Sequence, residues 1–336
     1  MLPHARTAPA ASAPAAGRYN GQQQTGRTET SISLLTALRR VYDGASANLQ
    51  GIALMVLSAL LISVLHAAVR YISSDIPAPQ SAFFRSLFAF MFVAPFILRR
   101  GLSVFRTGCF RLHVGRGLVN VTAMITLHEA LALTPLAVVA AISFTSPLWA
   151  VIGAILLFGE PAKRPRIVAL AIGFVGTWVV LRPGVEVVSE GSLWMLTSAA
   201  AWSGVVLFTK AITRHDDSIT VVAYMGLMVT LLTAIPAALV WVTPSASDIG
   251  WLVLIGFCHF GGQFCLAQSL KLADAGVVMP VDFMKLIWAM AFGFIVFTEL
   301  PDLWTLVGGT VIFATVTWLT VHESGGRRAA KNPEES

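Results

Sequence analysis

Charge is what this chain has least of: Asp, Glu, Lys and Arg make up 12% of its 336 residues, against 56% hydrophobic ones. Soluble domains carry about 25% charged residues, so an ordinary soluble fold is excluded. Cysteine is also scarce, and Cys109, Cys258 and Cys265 show no metal-ligand spacing, so they read as packing residues. No P-loop is present to harness ATP. His128-Glu129 starts like a zinc-protease motif, but Ala132 stands where the second histidine belongs, and no zincin is encoded. No Asp-rich pair suits a magnesium-dependent prenyltransferase, no repeated filter an ion channel, and no soluble signalling domain a receptor. The expectation is a protein that is not an enzyme and uses no cofactor and no metal; a multi-span membrane enzyme or sensor is the competing class. Residues 1–30, rich in Ala, Pro, Gln, Gly and Thr, lack the apolar core of a signal peptide and are expected to be a disordered tail.

What the chain has instead is hydrophobic runs. A helix needs about 20 apolar residues to cross roughly 30 Å of hydrocarbon. Ten stretches fit, at 49–70, 78–98, 112–133, 137–158, 166–182, 191–211, 219–242, 249–271, 276–297 and 303–321. Ahead of them, residues 31–48 place Ile32, Leu34, Leu35, Leu38 and Val41 near Arg39 and Arg40, as in an amphipathic lead-in on a membrane surface. Residues 323–336 are polar and expected to be a flexible tail.

The ten spans say the same thing twice. A shift of 139 lays Leu131, Val139, Phe144, Trp149, Phe158 and Glu160 on Leu270, Val278, Phe283, Trp288, Phe297 and Glu299. A shift of 140 lays Gly51, Met55 and Ser58 on Gly191, Met195 and Ser198. Two copies, at 49–184 and 191–322, thus hold five spans each. An odd number forces the copies upside down relative to one another, so the fold class expected is an all-α integral membrane protein of ten transmembrane helices in two inverted five-helix repeats.

Lys and Arg orient the bundle. All but four of the 23 collect on one side, which places both termini in the cytoplasm; Arg70 and Arg182 fall on the other side, and Arg85 and Lys285 lie within spans. This bias accounts for the net charge of +6, so no nucleic-acid partner is expected. The expected partners are a small-molecule substrate and the lipid bilayer, with a homodimer left open.

Ionisable groups near the bilayer centre are costly, about 2.5–3.5 kcal/mol on insertion scales, and tend to face cavities. Arg85, Asp282 and Lys285 form one midplane slab with His259. Asp282 and Lys285, three positions apart, share a helix face, and the first copy carries Ser143 and Ser146 at the equivalent places. Trp149 and Trp288, also equivalent, and Phe283 offer flat walls for a ring. Arg85 has no acidic neighbour in its own span, leaving Asp282, a substrate carboxylate or carbonyls as partners. Glu129 is the proton-coupling candidate, while Asn120, Gln263 and Gln268 read as helix-joining groups. Pro147 and Pro280 interrupt the fourth and ninth spans and free backbone carbonyls. The substrate-binding set expected is therefore Arg85, Ser143, Ser146, Trp149, Asp282, Phe283, Lys285 and Trp288, in a cavity formed chiefly by spans two, three, four, eight and nine.

The stretch Leu127 to Gly184, with Thr134-Pro135, Phe144-Thr145-Ser146-Pro147 and Phe158-Gly159-Glu160, resembles the EamA-type drug/metabolite transporter superfamily, as do Phe83-Phe84-Arg85-Ser86 and Thr298-Glu299-Leu300-Pro301. That resemblance implies secondary transport by alternating access in a bacterial inner membrane. Phe84-Arg85 and Arg116-Gly117 are similar to the S-adenosylmethionine uptake branch; riboflavin importers and amino-acid or drug exporters share the scaffold.

Overall fold

The computed structural model describes residues 46–182, 188–216, 218–273, 275–300 and 302–331. The expected tail 1–30, nearly all of the lead-in 31–48 and residues 332–336 lie outside the described residues. The chain runs through α1 (Ala47–Ile72), α2 (Ala78–Arg100), α3 (Phe110–Leu133), a split α4 (Leu136–Ser143 and Ser146–Phe158) and α5 (Arg164–Leu181). The second copy supplies α6 (Glu190–Ile212), α7 (Ser218–Leu239), α8 (Ala246–Leu272), a split α9 (Ala275–Val278, a 3-10 turn Met279–Phe283, then Met284–Phe297) and α10 (Leu303–Lys331). No strand occurs among the described residues. Helix starts are capped by side chains: Ser46 accepts from the Leu49 amide, Ser189 from the Ser192 amide, and Ser245 forms a reciprocal capping box with Asp248.

Among the described residues nine helices are long and apolar enough to cross a membrane; α3 is the tenth by length, with 24 residues, or about 36 Å. Its hydropathy is lowered by Arg116, Asn120 and His128, all buried against neighbouring helices rather than turned to lipid. α10 continues to Lys331, past the span end at 321 and into the tail expected from 323, because each further residue adds a helical hydrogen bond once the span is formed.

The packing has a pseudo-two-fold pattern. α3 packs on α6 as α8 packs on α1, α2 meets α8 as α7 meets α3, and the second half of α4 lies on α6 as that of α9 lies on α1. α2–α7 and α5–α10 pair across the axis. At the last of these crossings a Cβ on Gly308 would stand 2.6 Å from the Gly176 carbonyl oxygen, so no larger residue fits without moving backbone. Exchanging the copies therefore returns each of these pairings, the arrangement of two inverted five-helix repeats.

Symmetry extends to single interactions. Both second halves of the split helices end in a left-handed residue, Gly159 (φ 64°) and its equivalent Thr298 (φ 55°), after which the amides of Glu160 and Glu299 reach back to the carbonyls of Ala154 and Gly293. At the basic end of the bundle, Glu160 meets Lys210 of the other copy at 2.5 Å, and the Lys210 ammonium lies 5.3 Å from the Phe158 ring. At the opposite end Glu299 pairs with Arg70, whose guanidinium lies 5.0 Å from the Phe297 ring. The 140-residue shift lays Arg70 on Lys210, so each end is tied by the same Phe-x-Glu and cation device, formed each time between the two copies.

Candidate functional site

The breaks in α4 and α9 fall at equivalent places although their prolines do not. Pro147 starts the second half of α4, whereas Pro280 opens the 3-10 turn of α9. Proline removes an amide donor and clashes with the preceding turn, so each helix loses its regular ladder near the middle of the membrane. Ser143 and Ser146 flank one break, and Asp282 and Lys285 the other.

These four side chains line one cavity of about 290 Å³, together with Arg85 and His66. A second, more apolar chamber of about 290 Å³ between α2, α3, α7 and α8 holds Asn120, His259 and Phe260. Arg85, Trp202 and Gln263 line both. The walls include α1, α6 and α10 as well as the five helices expected, because α9 packs on α1 and α4 on α6. Asp282 and Lys285 form an ion pair of 2.6 Å. A pair three residues apart on a helix neutralises itself, which leaves Arg85 as the charge that sets the sign of the cavity.

Arg85 is 3% exposed and touches no carboxylate among the described residues. Its two terminal nitrogens donate instead to imidazoles: to His128 Nε2 at 3.3 Å and to His259 Nδ1 at 3.1 Å. His128 Nδ1 lies 2.6 Å from Ser81 Oγ, and that hydroxyl donates to the Ala78 carbonyl at 3.0 Å. Arg85 Nε has no partner among the described residues. The partners expected for Arg85 were an acid, a substrate or carbonyls; histidines take the place because α3 and α8 both cross α2 at this level.

The aromatic residues of the expected set pack elsewhere. Phe283 stacks on Phe144 at 5.8 Å and meets Phe313 at a tilt at 4.6 Å, Trp149 meets Phe174 edge-on at 5.2 Å, and Trp288 stacks on Phe292 at 6.4 Å. None of the three lines either chamber. The ring that lines both chambers is Trp202, which sequence reasoning missed because its equivalent, Ile62, carries no such signal. Glu129 lies apart, in a small cavity of about 130 Å³ with Ser73, Ser81 and His128, towards the end that carries Arg70. Asn120 is not a helix-joining group: it is 1% exposed, and neither amide atom finds a partner among the described residues. The 139-residue shift lays Asn120 on His259, and this was the signal that marks both as cavity groups.

A second polar cluster lies at the basic end. Asp216 accepts from Thr107, from His113 Nε2 at 2.8 Å and from Cys109 Sγ at 3.3 Å, tying the α2–α3 connection to the end of α6. Burial pushes the Asp216 carboxyl up, but hydrogen bonds from Thr107, His113 and Cys109 outweigh it and hold the group below its ordinary value. The Cys109 thiol is pushed up, chiefly by burial. The ligand atoms of Cys109, His113 and Asp216 lie within 4.8 Å of one another, and the three donors converge on Asp216 Oδ2.

Ten spanning helices in inverted halves around a central polar cavity define a multi-pass membrane transporter. The chain belongs to the EamA-like transporter family, whose pattern it matches over residues 49–182 and 189–321. It is 24% identical over 294 residues to an S-adenosylmethionine uptake transporter of Rickettsia conorii, covering 88% of this chain and 99% of that one. It is 30% identical over 267 residues to a riboflavin transporter of Brucella anthropi (76% and 93%). It is 25% identical over 280 residues to the pseudopaline exporter CntI of Pseudomonas aeruginosa (82% and 97%). A solved crystal structure superposes with a TM-score of 0.56 at 18% identity, covering 81% of this chain and 96% of that one, a likeness of fold.

Proposed function

We propose that the protein moves a small organic metabolite bearing a carboxylate and a planar ring across the bacterial inner membrane by alternating access, with its basic end and both termini in the cytoplasm. The observation that carries this reading is the buried Arg85, charged and without a carboxylate partner among the described residues, between two chambers that could admit a metabolite. An uncompensated charge at such depth is costly and marks a ligand site. Arg85 and Lys285 hold the anionic group, with Asp282 balancing Lys285 or receiving an ammonium; Ser143 and Ser146 face the same space. Trp202 takes the stacking role foreseen for Trp149, Phe283 and Trp288. The unpaired amide of Asn120 suits the polar edge of a heteroaromatic ring. S-adenosylmethionine, with its carboxylate, ammonium and adenine, is the leading substrate. Riboflavin, a ring compound without a carboxylate, is the second reading and would leave Arg85 to its ring carbonyls; it is favoured by the apolar second chamber with Asn120 and Gln263 on its wall. Glu129 is the proton-coupling site if the substrate moves with a proton.

Uptake of labelled S-adenosylmethionine, riboflavin and an amino-acid pool into proteoliposomes, with and without a pH gradient, tests this. Saturable uptake of one solute is expected, lost in Arg85→Ala and Lys285→Ala at near-normal protein abundance. Transport unchanged in both variants would contradict the site.

A further inference from the structure

The two histidines that hold Arg85 do more than fill space, and their chemistry narrows the ligand. A guanidinium has five N–H donors and no acceptor, so any atom facing it must offer a lone pair. His128 Nε2 and His259 Nδ1 are therefore the unprotonated nitrogens of neutral rings. The proton of His128 is then on Nδ1, where it donates to Ser81. The other charged and titratable groups at the two chambers are His66, Asp282 and Lys285, and the last two pair with each other.

A buried arginine is ordinarily held by a carboxylate, which fixes its position and cancels its charge together. Here position and charge are separated: two neutral acceptors fix two nitrogens, and the positive charge is left in place. We propose that His128 and His259 are positioning residues that keep Arg85 oriented but unneutralised, so that the site takes a ring-bearing carboxylate and rejects its uncharged amide counterpart. This rests on the proposed cavity and deepens it. A purely structural role for the histidines predicts the reverse of one result, because a carboxylate in their place would hold the buried arginine more firmly.

Asn and Asp both place an oxygen near the position of histidine Nδ1, and differ only in charge; Gln and Glu do the same for Nε2. The test uses the full-length protein in detergent with nicotinate and nicotinamide as matched probes, read as the ligand-induced rise in melting temperature. Nicotinate is expected to raise it and nicotinamide not. His259→Asn and His128→Gln keep the nicotinate response within about twofold in apparent Kd, whereas His259→Asp and His128→Glu weaken it more than tenfold while melting, unliganded, at the same temperature or higher. Equal responses to both probes, or none to nicotinate, overturn the anion selectivity. Nicotinate binding that survives in Arg85→Met overturns the cavity assignment itself. Binding lost in Arg85→Met but kept in His259→Asp and His128→Glu overturns only the positioning role.

Discussion

The two ends of the bundle are built from equivalent residues, yet they are not held equally. At the end carrying Arg70, the Arg70–Glu299 pair has side chains 19% and 17% exposed, and it is braced from both sides. Arg70 also donates to the Thr134 carbonyl, and Glu299 accepts from the Leu136 amide at 3.2 Å. At the basic end the Lys210–Glu160 pair is 44% and 26% exposed, and its added partner is Arg166, at 2.8 Å with a side chain 15% exposed. A planar guanidinium engages a carboxylate and carbonyls at once, whereas an ammonium is a compact, strongly hydrated charge. The same device is thus drier at the Arg70 end than at the basic end, and in the proposed transport cycle the drier tie is the closed gate.

Breaking the drier tie is the most severe change. Arg70→Ala leaves Glu299 without its cation in a largely dry setting, a loss of about 1–3 kcal/mol after allowing for partial exposure. Uptake is expected to fall more than tenfold, with reduced abundance, and Glu299→Gln to behave likewise. If both variants transport normally, the pair is not a closure.

Thr298 and Gly159 offer a sharper comparison. A β-branched residue at φ 55° is strained where glycine is not, so Thr298→Gly should stabilise by about 1 kcal/mol and Gly159→Thr destabilise by a similar amount, read as melting temperatures. Equal shifts of one sign would remove the equivalence of the two helix ends.

Glu160→Gln, at the exposed pair, should change uptake only two- to threefold, since exposed pairs contribute about 0–1 kcal/mol. The smallest effect is in pH. Hydrogen bonds from Lys210 and Arg166 hold the Glu160 carboxyl below its ordinary value. A depressed carboxylate stabilises the fold above its unfolded pKa of about 4.3, and that contribution fades as pH falls through the lower folded value. The basic-end tie is therefore expected to be constant from pH 8 to pH 5 and to weaken only below that, as melting curves of wild type and Glu160→Gln would converge in acid.

Fold and site differed in how far they were legible. The repeat of Phe158 and Glu160 as Phe297 and Glu299 sets the register of the two copies, and five spans per copy then force the inversion. Asp282, Lys285, Ser143 and Ser146 declared themselves as polar groups beside helix breaks, and they share one cavity. Rings were misplaced because an aromatic residue in an apolar helix looks the same whether it faces lipid, core or cavity: Phe283 sits against Phe313, while Trp202 faces the chambers. The partners of Arg85 were hidden because His128 and His259 stand 43 and 174 positions away along the chain, and only helix crossing brings them together.

The proposed alternating access requires the inverted copies to close the cavity at one end while releasing it at the other. Spin labels placed across each end, at Tyr71 and Leu300 and at Pro161 and Thr213 in a background with the cysteines replaced, would measure both openings by double electron–electron resonance in one sample condition. Arg70→Ala is predicted to lengthen the Tyr71–Leu300 distance and shorten the Pro161–Thr213 distance. Both distances growing together, or neither changing, would contradict the account.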